Sequence, residues 1–199
     1  VFFRKNDLGE KIRKLYRIPQ EKGIVLYAPT YRSMTGDDFK KYNPDWEHIL
    51  ASFRERFGKE YVVVYKLHHY MQKLVLEKGL YEQAVEATFY PDMQELLVAA
   101  DIVITDYSSL MWDFSLQRRP VFLYQNDEEQ YANDRGFYAP VSEWPYPKAH
   151  SEEELVEQIR CFDEEKYIVE LNAFLKNYGS CDDGHASERV VKRILEVIV

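Results

Sequence analysis

The feature that most restricts this chain is a series of short, continuous apolar runs, each ending in polar residues and most followed by a helix-like segment. Ile24–Ala28, Tyr61–Tyr65, the weaker Val85–Phe89, Ile102–Ile104 and Val121–Tyr124 recur along the first two thirds of the sequence. Except in Val85–Phe89, where Glu86 and Thr88 interrupt the run, their apolar residues do not alternate with polar ones. A strand that reads this way is buried on both faces, which is the situation of a parallel sheet covered by helices. Pro120 opens the last run, where no ladder hydrogen bond is yet required.

The intervening segments carry helical spacing. Asp45 precedes a stripe of Ile49, Leu50, Phe53 and Phe57 and reads as a helix cap. Tyr70–Lys78 is a short candidate. Asp92 stands before Met93, Leu96 and Leu97, with Glu95 in the capping-box position. Ser108 or Ser109 starts a further helix to about Gln117. Ser151 followed by Glu154 is a second capping-box signature, and Glu164–Tyr178 and Ala186–Ile198 are the last helix candidates. This βαβα order predicts an α/β fold: an open, mostly parallel Rossmann-like sheet with helices on both faces and right-handed crossovers. The expected strand order is 3-2-1-4-5, with a sixth short strand near Phe137–Val141. One domain over 1–199 is expected, with 1–20 as a lead-in and 151–199 as a helical C-terminal extension.

Composition narrows the function. The net charge of −8 argues against a general nucleic-acid binder, which needs a basic face. Cys161 and Cys181 have no metal or redox spacing and point to a reducing compartment. No run approaches the ~20 apolar residues of a membrane span, and no secretory leader is seen. The opening sequence suggests a piece of a longer protein.

In open α/β sheets ligands bind beyond the carboxyl ends of the strands. There the sequence places Pro29-Thr30-Tyr31-Arg32, Lys66-Leu67-His68-His69, Thr105-Asp106-Tyr107-Ser108-Ser109, and Asn126-Asp127. The third is the best single site: a strand ends, two hydroxyls follow and a helix begins, which suits an anion or simple helix capping. Arg32 can pair with a phosphate, Lys66 and His68 can face one, and Arg135 precedes Gly136-Phe137-Tyr138. His185 and Ser187 lie at another loop-to-helix junction. No GxGxxG, P-loop or dedicated metal-ligand set is present, so no resident cofactor is expected, and a divalent metal is left open. A Ser108, His68, Asp106 triad lacks the nucleophile elbow such a site would need.

Several of these segments together resemble the C-terminal domain of the CDP-glycerol glycerophosphotransferase family, the teichoic acid primases and polymerases and their capsule relatives. The residues concerned are Asn6-Asp7, Ile24–Arg32, Lys66-Leu67-His68, Ala100–Ser109 with Asp113-Phe114, Arg135–Tyr138 and Asp183–Arg189. His69 stands where the family usually has Pro, and His185 where Lys is common. The resemblance implies the C-terminal, donor-binding half of a GT-B transferase. It implies a CDP-glycerol or CDP-ribitol donor, release of CMP, a lipid-linked polyol phosphate acceptor and the cytoplasmic face of a bacterial membrane. It also implies that an N-terminal half is missing, since the chain has no His-Gly dipeptide, and that this piece alone is inactive. In that reading His68 is catalytic, and Thr30, Arg32, Lys66, Thr105, Asp106, Ser108, Ser109, Arg135, His185 and Ser187 bind the donor. The donor half of a sugar-nucleotide GT-B glycosyltransferase or epimerase, and a non-catalytic nucleotide-binding domain, remain alternatives.

Overall fold

The structure is a computed structural model and describes residues 2, 7–31, 43–71, 81–137 and 139–198. Among these residues β1 (Gly23–Tyr27), β2 (Tyr61–Tyr65), β3 (Val85–Glu86), β4 (Ile102–Thr105), β5 (Val121–Tyr124) and β6 (Lys148–Ala149) form one sheet. Its order is β3-β2-β1-β4-β5-β6 and every neighbouring pair is parallel. The sixth strand lies at Lys148–Ala149, not near Phe137–Val141. Val141 instead opens a 3-10 turn, and β6 joins the edge through Leu123 N–H to the Pro147 carbonyl (2.8 Å) and Gln125 N–H to the Ala149 carbonyl (2.7 Å).

Helices α1 (Leu8–Tyr16), α2 (Trp46–Phe57), α3 (Met93–Ala99), α4 (Leu110–Ser115), α5 (Glu128–Asp134), α6 (Glu152–Arg160), α7 (Glu164–Asn177) and α8 (Ala186–Ile198) complete the described fold. α2 packs on α6, and α3 packs on α1. Segment 1–20, read from sequence as a lead-in, therefore contains a helix that buries Ile12. The expected helix over Tyr70–Lys78 falls mostly outside the described residues.

Two of the caps expected from sequence close as local chemistry dictates. Asp45 accepts from the N–H groups of Glu47 and His48, and Asp92 from those of Gln94 and Glu95. Gly58 ends α2 with φ +66° and donates to the Arg54 carbonyl. Glu95, however, does not close a capping box. Its carboxylate takes the Lys11 ammonium at 2.6 Å and the Tyr90 hydroxyl. In the same way Glu154 accepts from the His150 N–H at 2.7 Å.

The core is aromatic. Trp46 and Phe53 on α2, Tyr65 on β2, Phe114 on α4 and Phe122 on β5 are fully buried. Tyr27, Trp46 and Tyr65 meet edge to face, and the Trp46 indole N–H donates to the Tyr65 hydroxyl. In contrast α8 has no buried residue; Val190, Val191, Ile194, Leu195, Val197 and Ile198 are all exposed.

Candidate functional site

The strand order reverses direction between β1 and β4, so the crevice outside their carboxyl ends is where this architecture takes ligands. Two chain exits meet there, and a clasp joins them. The Thr105 hydroxyl donates to the Ala28 carbonyl at 2.7 Å. The Asp106 carboxylate accepts from the Thr30 N–H (2.9 and 3.0 Å), the Thr30 hydroxyl (2.6 Å) and the Tyr107 N–H (2.6 Å). Thr105 and Asp106 are buried. Expected from sequence as donor ligands, these two turn their polar groups onto the β1 exit. A buried carboxylate holding three donors is a brace, and its negative charge would repel a phosphate placed against it.

Past this brace the chain presents Ser108, half-buried, and Ser109, exposed. Ser109 occupies the cap position of α4 with helical φ and ψ, and its side chain makes no capping hydrogen bond. Tyr107 between them and the brace is buried. Its ring stacks on Tyr131 at 4.2 Å and leans on Phe137 at 5.4 Å. These rings tie the β4 exit to the segment carrying Arg135, which is exposed beside Gly136 at φ +71°.

The β2 exit runs alongside, because Lys66 N–H continues the ladder to the Tyr27 carbonyl at 2.9 Å. His68 is exposed, with its ring 5.1 Å from that of Tyr31 and 5.0 Å from that of Tyr70. The Tyr70 N–H points at Nδ1 at 3.4 Å, which leaves the proton of the neutral ring on Nε2. Lys66 goes elsewhere. Its ammonium donates to the carbonyls of Thr88 (2.8 Å) and Tyr90 (2.6 Å), and burial lowers its pKa from the ordinary lysine value. It braces the β3 exit.

Arg32 lies outside the described residues. His185 and Ser187 sit at the start of α8. His185 meets Glu188 (3.0 Å) and Asp183 there, and among the described residues no hydrogen bond or ion pair joins either residue to the crevice. Among the described residues no group of three His, Cys, Asp or Glu side chains could hold a metal ion. Sequence reasoning missed Gln125 and His150. Gln125 is buried, donates from Nε2 to the Asp106 carbonyl at 3.2 Å, and leaves Oε1 without a partner. Its only sequence signal was its place after the fifth apolar run.

Comparison with known proteins finds a match over residues 1–196 to the family described as CDP-Glycerol:Poly(glycerophosphate) glycerophosphotransferase. A teichoic acid poly(glycerol phosphate) polymerase of Bacillus subtilis (strain 168) is 32% identical, over 98% of this chain and 27% of that protein. A teichoic acid ribitol-phosphate primase of Bacillus spizizenii is 31% identical, over 91% of this chain and 46% of that protein. A solved structure of a variant of the wall teichoic acid polymerase TagF superposes with a TM-score of 0.76 at 26% identity, covering 96% of this chain and 47% of that one. A second, a TagF variant with CDPG after a 30 minute soak, gives 0.73 at 28%, over 96% and 46%. The chain thus spans about half, or less, of the length of the relatives it matches.

Proposed function

The chain belongs to the CDP-glycerol:poly(glycerophosphate) glycerophosphotransferase family, and from that premise we propose that it is the donor-binding half of a two-domain transferase. The donor is a CDP-linked polyol, CDP-glycerol or CDP-ribitol. An acceptor hydroxyl attacks the phosphorus that bears the polyol, the bond from that phosphorus to the bridging oxygen breaks, and CMP leaves with the electron pair. The acceptor proton goes to a base on the opposing half. The acceptor is a lipid-linked polyol phosphate, and the full-length enzyme works at the cytoplasmic face of the membrane. The relatives' names, a teichoic acid poly(glycerol phosphate) polymerase and a teichoic acid ribitol-phosphate primase, support the transfer of a glycerol or ribitol phosphate. Among the described residues no helix is long and apolar enough to cross a membrane.

One observation carries the reading. The family match runs through a sheet whose switch point presents Ser108 and Ser109, and the Ser109 hydroxyl is not spent on capping its helix. The two hydroxyls meet the diphosphate, the brace of Thr30, Thr105 and Asp106 holds their turn in place, and His68 donates from Nε2 toward the departing CMP oxygen. Arg135 adds positive charge at the rim. Lys66, His185 and Ser187 are left out of this site, the first because its donors are occupied and the others because α8 stands apart.

The test pairs ligands with and without phosphate. Replacing Ser108 and Ser109 by Ala removes two bonds to a charged group, each worth roughly 1.5–3 kcal/mol. Affinity for CDP-glycerol and CMP falls at least about tenfold, while cytidine binding is unchanged. Unaltered CDP-glycerol affinity removes the phosphate role. An equal loss for cytidine means a distorted pocket and removes it too.

A further inference from the structure

Gln125, directly after β5, is a buried polar side chain with no part in the mechanism above. Its backbone is anchored on the β6 side. The Gln125 N–H donates to the Ala149 carbonyl at 2.7 Å, and its carbonyl faces His150 Nδ1 at 3.0 Å. From that support Nε2 donates across to the Asp106 carbonyl at 3.2 Å; a carbonyl only accepts, so the amide cannot be turned over. The Asp106 carbonyl lies just beyond the sheet ladder, whose last β4–β5 pair is Thr105 with Leu123. The N–H at the other end of the same peptide, that of Tyr107, donates to Asp106 Oδ1 at 2.6 Å. A peptide is planar, so holding its C=O from β5 and its N–H from the aspartate fixes its plane. That plane sets the direction in which the chain leaves toward Ser108 and Ser109. The amide is retained against an opposing cost. Its Oε1 is enclosed and, among the described residues, has no partner. A buried acceptor without a donor is unfavourable, and a methionine, of similar length, would fill the space without it. What the amide adds in return is the bond to Asp106.

We infer that Gln125 is a positioning residue of the donor site: through the Asp106–Tyr107 peptide it holds the serine turn in the orientation in which both hydroxyls reach the diphosphate. The inference rests on the donor reading above and extends it. Thr30 holds the Asp106 carboxylate from the β1 side. Gln125 holds the Asp106 carbonyl from the β5 side, so the turn is supported from the strands on both sides of β4. Gln125 acts without touching the ligand. Its effect on binding passes through Ser108 and Ser109, and a ligand without phosphate does not feel it.

The experiment is a double-mutant cycle on ligand affinity. Titration calorimetry reads CDP-glycerol, CMP and cytidine on wild type, Q125M, S108A/S109A and the triple variant, and a thermal melt shows that each is folded. Q125M is expected to weaken CDP-glycerol and CMP about fivefold, the worth of one net hydrogen bond, and to leave cytidine within about twofold. In the S108A/S109A background the same change is expected to cost less than about twofold, because the hydroxyls it positions are gone. A residue that only stabilised the fold would weaken all three ligands alike, or add the same loss in both backgrounds. Either result overturns the inference, and so does unchanged affinity in Q125M. Proton exchange of the Gln125 side-chain amide in the wild type needs no substitution and decides the case where Q125M does not fold. Exchange slower than that of an exposed amide, with and without CMP, supports a bond formed before the ligand arrives; exchange at the exposed rate overturns it. Serine replacements that leave CDP-glycerol affinity unaltered overturn the donor reading itself, which a failure of Q125M alone does not.

Discussion

Asp106→Ala in combination with Thr30→Val tests whether the two chain exits are held by the brace. Among the described residues the Asp106 carboxylate takes three donors, the Thr30 N–H, the Thr30 hydroxyl and the Tyr107 N–H, at 2.6–3.0 Å. The residue is only 5% exposed, so water cannot replace it freely. At about 1 kcal/mol of net stability per bond, D106A costs about 3 kcal/mol. T30V removes only the hydroxyl bond and costs about 1 kcal/mol. Once Asp106 is gone that hydroxyl has lost this acceptor, so T30V costs less in the D106A background than in the wild type. The double-mutant cycle should then show a coupling of up to about 1 kcal/mol. For a chain of this size the D106A loss lowers Tm by roughly 6–12 °C, within a typical margin of ~5–15 kcal/mol. Urea unfolding followed by circular dichroism gives the four free energies, and unchanged m-values confirm that the same transition is compared. Strictly additive losses would refute the clasp, because independent residues cannot produce the geometry described. D106N, which keeps one oxygen for the three donors, should recover most of the loss.

Other consequences can be measured separately. Burial, with the Asp101 charge second, pushes the Tyr61 phenol from 10.0 up to about 12, and burial also raises Tyr65, Tyr146 and Tyr167. A folded-state value above the unfolded one means stability is fully present below pH 10 and is lost as pH rises toward 12; phenolate absorbance should therefore rise for these residues only with unfolding, and reversible titration near pH 10 in folded protein would contradict the burial. A Cβ on Gly23 would lie 2.2–2.3 Å from the Tyr61 ring, so G23A should destabilise by about 1–3 kcal/mol in a urea melt, and a neutral result would mean the ring is free to move. The apolar stripe of α8 touches no core, so I194E should change stability by less than about 0.5 kcal/mol; amide exchange in α8 should be fast, and slow exchange in a demonstrated monomer would show that the helix packs on its own domain.

The sheet was readable before any coordinates because its signal is local. Val62–Val64, Ile102–Ile104 and Val121–Tyr124 are apolar without interruption, and only a strand covered on both faces tolerates that. The Asp45 and Asp92 caps were readable for the same reason, since each closes within three residues. β6 was misplaced because two residues carry no periodicity; its pairing depends on Leu123 and Gln125 finding Pro147 and Ala149 across the edge. The serine turn was likewise visible, as a strand end followed by a helix start. What its neighbours do was not. Asp106 reads as a polar strand-end residue, and its role appears only when folding brings Thr30, 76 positions away, against it. Lys66 reads as a phosphate cation until the β3 exit supplies two carbonyls for it. Glu95 fits a capping box in sequence, yet the ammonium of Lys11, 84 positions off, is a stronger partner for a carboxylate than a backbone N–H that water can reach. A side chain's role is set by whichever donor or acceptor stands nearest in space. Where that partner lies within a turn or two along the chain, the sequence already names it; where it comes from another strand, only the folded molecule does.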